Sequence, residues 1–188
     1  TNHPPFAYDV DAKGFPRSEV EAKLPASIPT DTATINQLGH IWYADDVMGK
    51  FIHAVEAKDA STLFVVTGDH AERFDFASNV SLPELSGIPC FFYGAGVTKD
   101  MVKTTDTGSH LQIAPTLAAL IGPAGSTYES LLPPLMGSDT AFNYRLIIEN
   151  GRMQEQKAMT DEAFKQYIEA ARTVAIWRIT KGNAIPQE

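Results

Sequence analysis

The chain has a single cysteine, Cys90. One thiol excludes an internal disulfide framework and any zinc site built from cysteines. Positive charge is scarce: 15 Lys and Arg stand against 23 Asp and Glu, a net of −8. That balance lacks a basic footprint, so no nucleic-acid partner is expected. A protein of this charge that handles anions needs a metal or local dipoles, because its overall field repels them. No apolar run approaches the roughly 18 residues that span a bilayer. No Met opens the chain, which starts Thr1-Asn2-His3-Pro4-Pro5. We therefore expect a piece of a longer protein, whose compartment is not read from a missing targeting signal.

What is present suits a folded chain. Hydrophobic residues make up 44% and charged residues 20%, which excludes a disordered chain, a collagen and a coiled coil. At 188 residues a sizeable core can form.

Residues 1–30 carry Pro4, Pro5, Pro16, Pro25 and Pro29 and read as a loop-rich lead-in held to a surface by Phe6, Tyr8, Phe15 and Leu24. A long helix is expected over 32–57, with Thr30, Asp31 or Thr32 as cap and Ile35, Leu38, Ile41, Trp42, Met48, Ile52 and Val55 at helical spacing. Residues 62–67 form a continuous apolar run, as in a parallel strand buried on both faces. Residues 71–87 read as loop and Ile88–Tyr93 as a second strand. A helix is expected over 108–122, with Pro115 in its first turns and Gly122 as its stop. Arg145–Glu149 and Arg152–Met159 read as strands of a hairpin turning at Asn150-Gly151. An amphipathic helix from Asp161 to Thr180 closes the chain. Strands alternating with helices indicate α/β with a mainly parallel sheet.

The chemistry concentrates at Thr67-Gly68-Asp69-His70, directly after the first strand. Ligands of open α/β sheets bind at the carboxyl ends of strands. A carboxylate oxygen beside an imidazole nitrogen suits a divalent cation. The same residues also read as a strand-end turn with a capping Asp and a surface His. His3, locked beside two prolines, is a rigidly held ligand-positioning candidate or a loop histidine. His110 opens a helix, where anions are attracted, and is a phosphate-facing candidate or a capping-region residue. Glu72 and Arg73 are placed to reach the Asp-His pair. His40 and His53 read as structural or exposed, and Asp45 and Asp46 as solvated or buttressing. Trp42, Tyr43, Phe51 and Phe91-Phe92-Tyr93 read as core, with Cys90 as a small buried hydrophobe.

Three passages carry a family resemblance. They are Asn2-His3-Pro4-Pro5-Phe6; Tyr43-Ala44-Asp45-Asp46 through Ile52 with the strand ending in Gly68-Asp69-His70; and Ile88-Pro89 followed by Ser109-His110-Leu111-Gln112 through Gly122. In this order they resemble the sulfatase branch of the alkaline-phosphatase superfamily. The nearest likeness is to lipoteichoic-acid-synthase-like phosphoglycerol transferases and the sulfatases grouped with them.

The resemblance implies an α/β fold: part of an alkaline-phosphatase-like three-layer sandwich, a mainly parallel sheet with helices on both faces, plus a C-terminal hairpin and helix. It makes residues 1–188 the C-terminal part of a sulfatase-like catalytic domain, with 1–30 as the lead-in, 31–122 as the α/β core and 123–188 as a tail. It implies metal ligation by Asp69 and His70, substrate binding by His3 and His110, and a divalent cation (Mn, Ca, Mg or Zn). Gln112 stands where many relatives carry Asp. No catalytic residue is expected in this chain, because the family's nucleophile precedes the His-Pro motif. The implied partner is a phosphate or sulfate ester, with a glycerophospholipid as one such substrate. The implied location is extracytoplasmic or membrane-anchored, and the piece alone is expected to be inactive. A non-catalytic binding module on the same scaffold, or a phosphatase or phosphomutase of the superfamily, is the alternative.

Overall fold

A computed structural model of the chain describes residues 5–71, 76, 80–101, 108–136, 138–143, 145–149, 152–158 and 160–181. They fall into two compact units, Thr1–Val97 and Thr98–Glu188.

The first unit is organised on one long helix. A 3-10 turn, Asp11–Lys13, leads to α1 (Arg17–Lys23) and then to α2 (Thr32–Glu56). Asp31 is the α2 cap: its carboxylate accepts from Ala33 N at 3.0 Å and Thr34 N at 3.1 Å, satisfying donors that a helix start leaves without partners. The same hydrogen bonds, those of Thr34 first, hold the Asp31 carboxyl below its ordinary pKa. Val10, Phe15 and Ile35 form a small core, with Val20, Leu24, Leu38, Trp42 and Tyr43 against it. Gly39 makes that packing possible. A Cβ there would meet Val10 Cγ2 at 2.7 Å and Phe15 Cδ1 at 3.1 Å. The lead-in is thus seated on α2, and the stretch expected to be loop-rich contains the helix α1.

β1 (Leu63–Thr67) follows α2, and α3 (Leu82–Ser86) precedes β2 (Cys90–Gly94). α3 lies inside the stretch read as loop. Its start is a reciprocal cap: Ser81 N donates to Glu84 at 2.8 Å, and Glu84 N donates back to Ser81 Oγ at 3.4 Å. β1 and β2 pair antiparallel from Leu63↔Gly94 to Thr67↔Cys90. Gly94 takes φ +111 and leaves no room for a side chain, since a Cβ would lie 2.3 Å from the Thr62 carbonyl oxygen.

In the second unit, a 3-10 turn (His110–Gln112) runs into α4 (Ile113–Ile121). Strands β3 (Ala141–Phe142), β4 (Leu146–Glu149) and β5 (Arg152–Glu155) form an antiparallel sheet in that order. α5 (Glu162–Lys181) lays Ile168 and Ala171 against Ala141, Phe142, Ile147, Ile148 and Leu132. The β4–β5 register brings Glu149 opposite Arg152, as a hairpin requires, while Asn150-Gly151 lies outside the described residues.

The mainly parallel sheet is not what the described residues form; all three ladders are antiparallel. An apolar run reports hydrophobicity and carries no information on strand direction. Burial of β1 on both faces is not met either, since only Phe64 is buried. Two strands alone cannot enclose two faces. Phe91 (60% exposed), Tyr93 and Cys90 on β2 are therefore exposed rather than core, and Phe51, on α2, is exposed as well.

Candidate functional site

The end of β1 positions the Asp-His pair. The Thr67 hydroxyl donates to the Gly68 carbonyl at 3.2 Å, and Asp69 Oδ1 accepts from His70 N at 3.0 Å. That bond turns Asp69 Oδ2 toward the imidazole, 3.6 Å from His70 Nε2. Both side chains reach solvent, at 89% and 40% exposure. Two donors sharing one cation through bonds of about 2.1 Å stand roughly 3.0–3.6 Å apart. A carboxylate oxygen and an imidazole nitrogen at this separation therefore fit two positions of a divalent-cation site. Among the described residues no group of three His, Cys, Asp or Glu completes such a site. Glu72 and Arg73, expected near the pair, lie outside the described residues, as does His3.

His110 belongs to the second unit, on the exposed 3-10 turn before α4. Gln112, two residues on, is buried. Its Oε1 accepts from Ser109 N at 3.1 Å and its Nε2 donates to Pro133 O at 3.2 Å. The Thr116 hydroxyl donates to Gln112 O at 2.6 Å and accepts from Leu135 N at 2.9 Å. Gln112 thus ties a loop to α4, a packing role that needs an uncharged side chain at this depth.

The two histidines of α2 are structural or exposed, as their place in the helix predicts. His40 is buried, and His53 is exposed with Nδ1 3.4 Å from Glu56. Asp45 is exposed, and Asp46 pairs with Lys50 at 2.6 Å.

A second constellation went unread. Phe6 adopts φ +54, a left-handed conformation that is an outlier for a bulky side chain. Its ring meets His40 edge-on at 5.4 Å, and Tyr8 meets His40 at 6.4 Å. The Tyr8 and Tyr43 rings lie 5.0 Å apart with their hydroxyl oxygens 3.4 Å apart. Lys13 Nζ sits 5.8 Å from the Tyr8 ring centre. The Tyr43 hydroxyl, then the Lys13 ammonium, hold the Tyr8 phenol below its ordinary pKa. Tyr8 in turn raises Tyr43 and Lys13. Tyr8 reads in the sequence only as an apolar residue holding the lead-in to a surface, and Lys13 carries no local signal.

The family model described as Sulfatase matches residues 1–123. No curated protein and no solved structure matches the chain.

Proposed function

Because the chain belongs to the sulfatase family of sulfuric ester hydrolases, we propose that it contributes the Asp69–His70 arm of a divalent-cation site that acts on a sulfate or phosphate ester. The observation that carries this reading is the convergence of Asp69 Oδ2 and His70 Nε2 at the mouth of β1. Members of the family generally use divalent metal ions, and an oxygen–imidazole pair suits Mn or Zn better than the oxygen-seeking Ca or Mg. When bound, such a cation supplies Lewis-acid stabilisation of charge on the ester oxygens. The residues' own part is narrower. Asp69, anchored through Oδ1 to its neighbour's backbone, presents Oδ2 in a set orientation, and the negative charge there attracts the cation. His3 is proposed to contact the tetrahedral oxyanion. The attacking group is proposed to come from outside this chain, which would be the C-terminal part of the catalytic domain. Phosphoglycerol transfer from a glycerophospholipid at an extracytoplasmic membrane face is the transferase form of the proposal.

A substrate panel on the full-length protein tests it: a sulfate ester, a phosphodiester and a phosphomonoester, each with and without added cation. The expected result is cation-dependent turnover of one ester class, lost in Asp69→Ala. Turnover that ignores both cation and substitution contradicts the proposal, and no turnover with no bound cation leaves a non-catalytic module.

A further inference from the structure

Three hydrogen-bond donors converge beside α2 without any part in the Asp-His pair. The Tyr8 and Tyr43 hydroxyls are 3.4 Å apart, and the Lys13 ammonium lies over the Tyr8 ring. Lys13 has no carboxylate partner among the described residues, although acidic side chains are close in sequence. Asp11 is taken by Arg17, with Nη2 to Oδ2 at 2.6 Å. Asp9 Oδ1 accepts from Ala12 N at 3.0 Å, and its charge is the one that opposes the cluster at Tyr8. Lys50, the other cation felt at Tyr43, is paired with Asp46.

The ammonium thus lies over the Tyr8 ring, whose hydroxyl meets that of Tyr43. An ammonium has three donors and no acceptor; the Tyr8 hydroxyl donates to the Tyr43 oxygen, which leaves the Tyr43 O–H to add one more donor. Such a set is complementary to an oxyanion and mismatched to a neutral acceptor-poor group. The platform is held in place. Tyr43 is fixed in the middle of α2, while Phe6 and Tyr8 pack on the buried His40 ring. Left-handed strain in a bulky residue persists where surrounding contacts over-determine it, and such strain clusters at ligand-binding segments. Tyr8 itself is exposed, so the cluster is open to solvent. It follows His3 by five residues, a stretch that spans at most about 18 Å.

We propose that Tyr8, Tyr43 and Lys13 form a subsite for an anionic group carried by the alcohol part of the ester, a second phosphate, sulfate or carboxylate. The inference rests on the reading of the chain as an ester-handling protein. The reacting ester and the cation belong to the Asp69–His70 side. The tyrosine–lysine cluster selects substrates that carry a further negative charge.

The test titrates the full-length protein with sodium sulfate and, separately, with glycerol phosphate, at constant ionic strength. The readout is the tyrosine ring NMR signals, assigned through Tyr8→Phe and Tyr43→Phe. The expected result is a saturable shift of the Tyr8 and Tyr43 signals. Affinity should fall about tenfold in Lys13→Gln, consistent with loss of one charge-assisted hydrogen bond, and recover in Lys13→Arg. Asp69→Ala should leave this binding intact, which separates it from the cation site. If Asp69→Ala abolishes the shift, the anion sits on the cation and the subsite is overturned while the cation proposal stands. Equal affinity in Lys13→Gln and the unsubstituted protein, or a shift that never saturates, also overturns it. If the subsite binds but Asp69→Ala changes neither cation content nor turnover, the subsite stands and the proposed function fails.

Discussion

β1 and β4 are both short apolar strands, and they end in different surroundings. β4 is the middle strand of three, with Leu146, Ile147 and Ile148 buried and Ile147 wholly inaccessible. β1 is one of two, and of its five residues only Phe64 is buried. Composition does not explain the contrast, since Leu-Phe-Val-Val is as apolar as Leu-Ile-Ile. The number of packing neighbours does. β4 has a strand on either side and α5 across its face, and β1 has one strand partner among the described residues. The second unit therefore holds the larger hydrophobic core. The first unit holds the open strand end, where Asp69 and His70 remain accessible to a ligand.

The sharpest way to break this contrast is to truncate matching side chains. Ile147→Ala should cost about 2–5 kcal/mol, because it removes a fully buried side chain and leaves a cavity. Phe91→Ala, at 60% exposure, should change stability by less than about 1 kcal/mol. Urea denaturation of the two variants measures both, and equal losses would refute the account of an open β1–β2 ladder. A smaller effect is expected inside the second unit. Thr116→Val removes the hydroxyl that bridges Gln112 O and Leu135 N, and should cost about 1–3 kcal/mol by stranding the Leu135 amide.

The smallest effect sharpens the view of α2 as the first unit's scaffold. The folded-state pKa of Asp31 is depressed by the Thr34 hydrogen bonds, so its contribution is fully present above the unfolded carboxyl value, about 3.9. That contribution is lost as pH falls through the lower folded value. Stability followed between neutral pH and pH 2 should decline more steeply for the unsubstituted chain than for Asp31→Asn. Parallel curves would remove Asp31 from the scaffold.

Local signals read well where a residue acts on its neighbours. The Asp31 cap and the apolar spacing of α2 place a helix over 32–57, against the observed 32–56. Asp69 and His70 stand out as candidates in the sequence because they are adjacent and follow an apolar strand. What did not read depended on distant partners. Tyr8 and Tyr43 meet across 35 residues of sequence. Strand direction in both sheets is decided by pairing rather than by composition, and β3, at two residues, has no pattern to detect. Gln112 shows the same limit: its depth is set by Pro133 and Ser109, and only those contacts reveal a packing residue.

We propose, as above, that the open end of β1 holds a divalent cation. Cation content of the full-length protein, measured by elemental analysis after dialysis against Mn, Mg, Ca and Zn in turn, tests it most directly. The account predicts a stoichiometric cation that is lost in Asp69→Ala and in His70→Ala, with folded structure retained because both side chains reach solvent. Cation content that is the same in the unsubstituted protein and both variants would contradict it.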